Sequence, residues 1–305
     1  MNYPYLSYEK KGKASGASRI LLLDKNERSS SAKFRIAKYL TSFVAVLSVS
    51  IITVAYNSAD TISDTLESVR RQTYPYVEHI VVDGASTDGT PDIARRYGHV
   101  SCVISEPDQG AYDAMNKGIA SARGDVIGLL NADDAYTSPY ALEWVIQTLT
   151  AAKADALYAD LQYVHRRRPE QVVRHWSSGP YRRERFRWGW MPPHPTFFTL
   201  RKHYETLGNY NTRLRLSADY ELMLRFLYVH RLSTVYLPRV LVRMRLGGMS
   251  NASFRQRWQA NREDRLAWQI NGLQPPPFAL WIKPMRKITQ FWPLFAPSLA
   301  RLQTL

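Results

Sequence analysis

Val49-Ser-Ile-Ile-Thr-Val-Ala-Tyr-Asn57 opens the stretch that decides the fold. Glu78-His-Ile-Val-Val-Asp-Gly-Ala-Ser-Thr-Asp-Gly-Thr90 follows, and then Val126-Ile-Gly-Leu-Leu-Asn-Ala-Asp-Asp134. Each begins as a short apolar, β-branched run, the mark of a buried strand. Each runs out into polar residues: Thr53 to Asn57, Asp83 to Thr90, and Asn131 to Asp134. Helical patterns lie between them. Ile62, Leu66 and Val69 share one face behind Ser58 or Asp60 as a cap. Thr90-Pro91 supplies a cap and a first-position proline. Cys102-Val-Ile104 reads as a third strand. Ala111 to Ala122 reads as a helix with Met115 and Ile119 on one face. Repeated alternation predicts an α/β fold with a mostly parallel sheet. Such sheets bind ligands at the carboxyl ends of their strands, so the polar points converge on one edge. With an acidic cluster able to hold a metal, that edge reads as a nucleotide-diphosphate site.

The chain has 305 residues, 45% hydrophobic and 22% charged, enough for one large domain or two modest ones. Its single cysteine, Cys102, excludes an internal disulfide and a multi-thiolate zinc cluster, which fits a cytosolic setting. No run reaches the roughly 20 apolar residues a bilayer span needs. Ile20-Leu-Leu-Leu23 is flanked by charges and lacks a clear cleavage site, so 1–45 reads as a poorly ordered extension.

The net charge of +15 suits nucleic acid, anionic lipid or a phosphorylated substrate. Zinc-finger spacing and an RNA-recognition aromatic motif are missing, so nucleic acid is set aside. From Asn251 onward, 8 Lys and Arg residues face only Glu263 and Asp264, which favours a membrane surface.

Asp83 directly follows a strand, where its carboxylate can take hydrogen bonds from a base or a ribose. Alternatively, Asp83 and Asp88 organise the turn around Gly84 and Gly89. Asp133 and Asp134 are costly after a buried strand unless exposed or metal-bound. Mg²⁺ commonly takes one or two carboxylates plus substrate phosphates. The competing reading is a cap for a helix near Pro139. Adjacent side chains point apart, so one ligand and one structural partner are expected. Phosphate-binding Gly-rich loops of the ATPase and dinucleotide types are missing, as is a Gly-x-Ser-x-Gly elbow.

In this order the motifs resemble glycosyltransferase family 2, the inverting nucleotide-sugar enzymes of GT-A fold, a Rossmann-like nucleotide-binding mixed sheet, over about residues 47–250. Thr53-Val-Ala-Tyr-Asn57, Val81 to Thr90, Asn116-Lys-Gly118, Gly124 and Asn131-Ala-Asp-Asp134 carry the likeness. Ser105-Glu-Pro-Asp-Gln-Gly-Ala-Tyr-Asp-Ala-Met-Asn-Lys-Gly118 is similar to a subgroup that builds bacterial exopolysaccharides, capsules and O-antigens. The resemblance implies a GT-A domain over 46–250, with a nucleotide-binding half (46–160) and an acceptor half (161–250). It implies a donor site of Thr53, Ala55, Tyr56, Asn57, Asp83, Asn116, Lys117, Asn131 and Asp133. Asp133 would hold Mg²⁺ or Mn²⁺ on the diphosphate of a nucleotide-diphosphate sugar, with UDP-sugar as the expected donor. Gly84 replaces the second acid of the second motif. Asn131 replaces the first acid of the third, and Met115 stands where an arginine is common.

Pro192-Pro-His-Pro-Thr-Phe-Phe198 and Ser217-Ala-Asp-Tyr-Glu221 match the family's acceptor side. The resemblance makes Asp219 the base that deprotonates the acceptor hydroxyl, a task a carboxylate performs within hydrogen-bond reach. The other reading is a helix-start Asp favoured by the macrodipole. Asp134, His194, Trp190, Gly248 and Ser250 are expected near the donor sugar and acceptor. Arg243 to Ser250 resembles the loop that covers the diphosphate.

Between Arg166 and Arg187, arginines interleave Trp176, Tyr181, Phe186 and the nearby Trp188 and Trp190. Arg suits phosphate and aromatic faces suit sugar rings, so a lipid-linked or oligosaccharide acceptor is expected. A solvated basic face with aromatic packing is the alternative. Residues 251–305 mix Trp and Phe with Lys and Arg and read as a basic amphipathic extension for peripheral membrane contact. Packing of that extension on the catalytic domain is the alternative. The rival functions are a sugar nucleotidyltransferase and a non-catalytic basic protein that binds membranes or polyanions.

Overall fold

Ile52, Val54, Ile80, Val82, Ile127 and Leu129 alternate along three strands with Val49, Ile51, Val81, Val126 and Leu130. Both sets are buried, so both faces of the sheet are covered. That is why these strands read as continuous apolar runs. The computed structural model describes residues 46–247 and 254–276. The expected extension over 1–45, Gly248, Ser250 and the tail beyond 276 lie outside the described residues.

Strands β1 (Val49–Ala55), β2 (Val77–Asp83), β3 (Val100–Ser105) and β4 (Val126–Asn131) are parallel, in the order β3-β2-β1-β4. Helices α1 (Ile62–Arg70), α2 (Thr90–Arg95) and α3 (Ala111–Ser121) connect them. The α1 stripe of Ile62, Leu66 and Val69 is buried, as the spacing predicts. Met115 and Ile119 of α3 are buried against the other face. A Cβ at Gly118 would collide with the Ile52 side chain, so the glycine of Asn116-Lys-Gly118 sets the close approach of α3 to β1.

Beyond β4 come β5 (Asp134–Tyr136), α4 (Ala141–Ala152), β6 (Ala156–His165), β7 (Arg168–Trp176), β8 (Phe198–Leu200), α5 (Arg201–Leu207), α6 (Ala218–Met223), β9 (Thr234–Arg245) and α7 (Phe254–Ile270). A π-helical stretch, Leu224–Val229, extends α6. The sheet continues as β8-β6-β9-β5, with β7 on β6. Here β8 runs antiparallel to β4 and β6, and β5 runs antiparallel to β9. β6 and β9 pair in parallel, so the mostly parallel expectation holds for the first four strands and the sheet beyond them is mixed. In the second half, β6 and β7 form a hairpin and β8 and β5 return antiparallel, connections that antiparallel pairing permits, while α5 and α6 lie between the parallel partners β6 and β9.

Two helix starts differ from expectation. Neither Ser58 nor Asp60 caps α1 with its side chain; the Ser58 carbonyl accepts from Thr61 and Ile62 instead. Thr90 is the first residue of α2, not its cap, and Gly89 (φ 88°) precedes it in the left-handed region. Asp88 Oδ1 takes both the Thr90 N–H and its hydroxyl. No helix among the described residues is long and apolar enough to cross a membrane.

Candidate donor and acceptor site

Parallel register brings the strand ends to one rung. Ala55 pairs with Asp83, Asp83 pairs with Ser105, and Asn131 pairs with Val54. The loops after β1 and β2 are stitched together above that rung. Asn57 (φ 46°) donates its N–H to Ser86 Oγ at 2.7 Å and accepts from Thr87 N at 3.1 Å. Ala59 N donates to Asp88 Oδ2 at 2.9 Å. Asp88 is thus a turn organiser.

Asp83 is different. It is fully buried, and its Oδ2 accepts from Ser86 N and the Ser105 hydroxyl. Its Oδ1 is buried with no hydrogen-bond partner among the described residues. A buried carboxylate oxygen left unpaired is expensive, and a ligand N–H or O–H relieves it. Tyr56, 67% exposed, stands at the rim of this cleft. A side chain at Gly84 would collide with the Asp108 carboxylate and crowd the Tyr56 ring. The acid missing from position 84 is therefore replaced in space by Asp108, which no strand-end reading of the sequence exposes. Thr53 is buried inside β1, with Oγ1 2.9 Å from His79 Nε2.

At the end of β4, Asn131 donates its amide to Asp134 Oδ2 at 2.9 Å. Asp134 is fully buried, and its Oδ1 has no partner among the described residues. Burial and the neighbouring Asp133 push its carboxyl well above the usual range. Burial also raises Asp133, while Arg166 and Arg245 pull it down. Arg245, itself buried, donates to the Asp133 carbonyl at 3.2 Å and to Asp64 at 2.5 Å. One acid is thus structural and its neighbour is half-buried beside two guanidinium groups, as the alternation of adjacent side chains implies. Neither caps α4, which follows Tyr140. Among the described residues no group of three or more His, Cys, Asp or Glu side chains could hold a metal.

On the acceptor side, Asp219 sits in the first turn of α6. Its Oδ1 accepts from the Tyr112 hydroxyl at 3.0 Å and the Tyr220 N–H at 2.8 Å. The Tyr112 ring stacks on Tyr210, with centroids 5.5 Å apart. The Tyr210 hydroxyl lies 2.8 Å from His194 Nε2. Burial holds the His194 imidazole below its usual pKa, against an opposing pull from Asp219. The structure thus gathers Asp219, Tyr112, Tyr210 and His194 into one cluster.

Asn116 has another task. Its side chain donates to the Tyr210 carbonyl and accepts from the Tyr210 N–H, both at 2.9 Å. This amide clasps the Tyr210 backbone to α3. Lys117 is held by Glu106 at 2.9 Å and the Pro107 carbonyl at 2.8 Å. Trp190 is buried, edge-on to Tyr158 and Phe186, with the Arg185 guanidinium over its ring. Arg183 donates to the Tyr228 carbonyl and covers its ring. This part of the Arg-aromatic run is packing, because long aromatic and guanidinium surfaces bury well together. Gly248 and Ser250 lie outside the described residues, beyond Gly247.

The sequence pattern of the glycosyl transferase family 2 matches residues 50–206. A PGL/p-HBAD biosynthesis glycosyltransferase of Mycobacterium bovis is 31% identical over 218 residues, covering 66% of this chain and 78% of that one. The putative teichuronic acid biosynthesis glycosyltransferase TuaG of Bacillus subtilis is 41% identical over 92 residues, covering 29% of this chain and 36% of that one. Among solved structures, S. aureus TarS 1-349 in complex with UDP-GlcNAc superposes with a TM-score of 0.60 at 17% identity. That match covers 74% of this chain and 65% of TarS 1-349, and it shows a shared GT-A fold. By the family pattern and the mycobacterial relative together, the chain belongs to glycosyl transferase family 2.

Proposed function

We propose that this protein is an inverting glycosyltransferase that moves a sugar from a nucleotide diphosphate, UDP by preference, to a lipid-linked or growing glycan acceptor in bacterial surface polysaccharide synthesis. One observation carries the reading: the unpaired Asp83 oxygen and Asp133 stand at the carboxyl ends of β2 and β4, and Asp219 is bonded to Tyr112 in the first turn of the helix that follows β3. The relatives named for PGL/p-HBAD and teichuronic acid biosynthesis support the product class, and TarS with UDP-GlcNAc supports the donor class.

In this reading Asp83 takes a polar hydrogen of the base or ribose, beside Tyr56, Ala55 and Asn57. Asp219 accepts the acceptor hydroxyl's proton as that oxygen attacks the anomeric carbon. The bond from that carbon to the diphosphate breaks with inversion, and the nucleoside diphosphate leaves. Arg245 and Arg166, near Asp133, add positive charge on the side where the diphosphate develops its own negative charge. Asp133 supplies a hard oxygen for Mg²⁺ or Mn²⁺, and the substrate phosphates complete the ligand set a single carboxylate cannot. Held there, such an ion would supply positive charge to offset the negative charge of the leaving diphosphate. Peripheral contact with the cytosolic face of a membrane, through the basic residues from 251 onward, belongs to the same proposal.

The test is product analysis with purified protein and labelled UDP-sugars. Release of nucleoside diphosphate with sugar on the acceptor supports transfer. Release of pyrophosphate identifies a nucleotidyltransferase instead. Polyanion or membrane binding with no turnover identifies the non-catalytic rival.

A further inference from the structure

α7 lies beyond the matched family segment, yet it packs on the helix that carries Asp219. Its inner face buries Glu263, Asp264, Ala267 and Trp268, while Trp258, Leu266 and Ile270 are exposed. Glu263 is 8% exposed and reaches across 46 or 47 residues of sequence. Its Oε2 accepts from Leu216 N at 2.7 Å and Ser217 N at 3.0 Å. Gln259 steadies the other oxygen at 3.0 Å. These are the backbone N–H groups that lead into α6, two and three residues before Asp219.

Ser217 would be expected to cap α6 with its own hydroxyl. Instead that hydroxyl donates to the Ala260 carbonyl on α7, and no side-chain cap bond forms. The charged cap comes from Glu263. Two further ties hold the same helix: Trp268 Nε1 donates to the Tyr220 hydroxyl at 2.9 Å, and Asn271 donates to Glu221 Oε1 at 3.1 Å. Charge-assisted bonds of this kind are the strong ones, and they fix the angle at which a helix begins.

We infer that Glu263 is a positioning residue for Asp219, which makes α7 part of the catalytic apparatus in addition to any role in location. The inference rests on the reading of Asp219 as the base. Asp219 is then held from two sides, by Tyr112 of α3 on its carboxylate and by Glu263 of α7 on its backbone. A base displaced by about 1 Å can cost on the order of 100-fold in rate without touching donor binding.

The experiment compares full-length wild type, Glu263→Ala, Glu263→Gln, Glu263→Asp and Asp219→Asn by steady-state kinetics and by amide hydrogen exchange. Exposed Gln269→Ala on the same helix is the control. Glu263→Ala should lower kcat about 10- to 100-fold, leave donor KM unchanged, and speed exchange at residues 216–217. Glu263→Gln keeps an acceptor oxygen and should recover to within about threefold of wild type. Glu263→Asp, shorter by one methylene, should fall between them and serves if the alanine variant does not fold. Unchanged exchange at 216–217, or a kcat loss matched by an equal rise in donor KM, overturns the inference. An inactive Asp219→Asn beside a fully active Glu263→Ala sinks the inference alone. Full turnover in Asp219→Asn sinks the reading of the base, and the inference with it.

Discussion

The Tyr112 hydroxyl donates to Asp219 Oδ1 at 3.0 Å, across 107 residues of sequence. This bond fixes one carboxylate oxygen, and in the proposed mechanism the other takes the acceptor's proton. It also links Asp219 to the Tyr210–His194 pair through the stacked tyrosine rings. Tyr112→Phe keeps the stack and removes the bond. Its kcat should fall about tenfold, the worth of one hydrogen bond to a charged group, with donor KM unchanged. Steady-state kinetics at saturating acceptor measure both.

Asp83 offers a buried oxygen with no partner among the described residues. Asp83→Asn keeps an acceptor for Ser86 and Ser105 but removes the charge that a base or ribose hydrogen would meet. Nucleotide affinity should drop about 10- to 100-fold, on the scale of a charged hydrogen bond. Calorimetric titration with UDP and Mn²⁺ reads this directly. Unaltered affinity would move the nucleotide away from the β2 edge.

Asn116 closes a reciprocal pair of bonds with the Tyr210 backbone. Asn116→Ala leaves a polar N–H and a carbonyl without these partners and should cost about 1–3 kcal/mol of stability. Nucleotide affinity should stay at the wild-type value, since the side chain faces the acceptor loop. Urea unfolding and nucleotide titration on the same preparation separate the two effects.

His79 is fully buried between Thr53 and His99, and burial drives its pKa down to about 3. The unfolded imidazole titrates near 6.5, so the folded chain binds fewer protons between those values. Stability is whole above pH 6.5 and falls as pH drops toward 3. A single proton contributes at most about 1.4 kcal/mol per pH unit. His79→Gln should flatten that acid limb in melts taken from pH 7 to 4. An unchanged slope would show that another group carries it.

Much of this was legible in the sequence because it rests on local rules. The apolar runs ending at Ala55, Asp83 and Asn131 placed the strands, and their polar ends placed the site's edge. The stripes at Ile62, Leu66, Val69 and at Met115, Ile119 placed two helices. What escaped reading depends on contacts between distant residues. Tyr112 sits in a helical pattern where an aromatic reads as core. Asp108 reads as a loop acid until Gly84 is seen to leave room for it. The motif of Asn116 does not reveal that its amide bonds the Tyr210 backbone, 94 residues away. Glu263 belongs to a basic segment whose composition points to a membrane, and only tertiary packing turns it toward α6. The mixed half of the sheet has the same origin, since strand direction after β4 is set by partners far away in the chain.

The measurement that tests the central claim most directly is thermal stabilisation by a panel of nucleoside diphosphates, each with and without Mn²⁺. A site built from Asp83 and Asp133 at one sheet edge predicts a clear rise in melting temperature with one nucleoside diphosphate, UDP foremost. That rise should shrink without the metal, in Asp83→Asn and in Asp133→Ala. No stabilisation by any nucleoside diphosphate, with or without Mn²⁺, would contradict it.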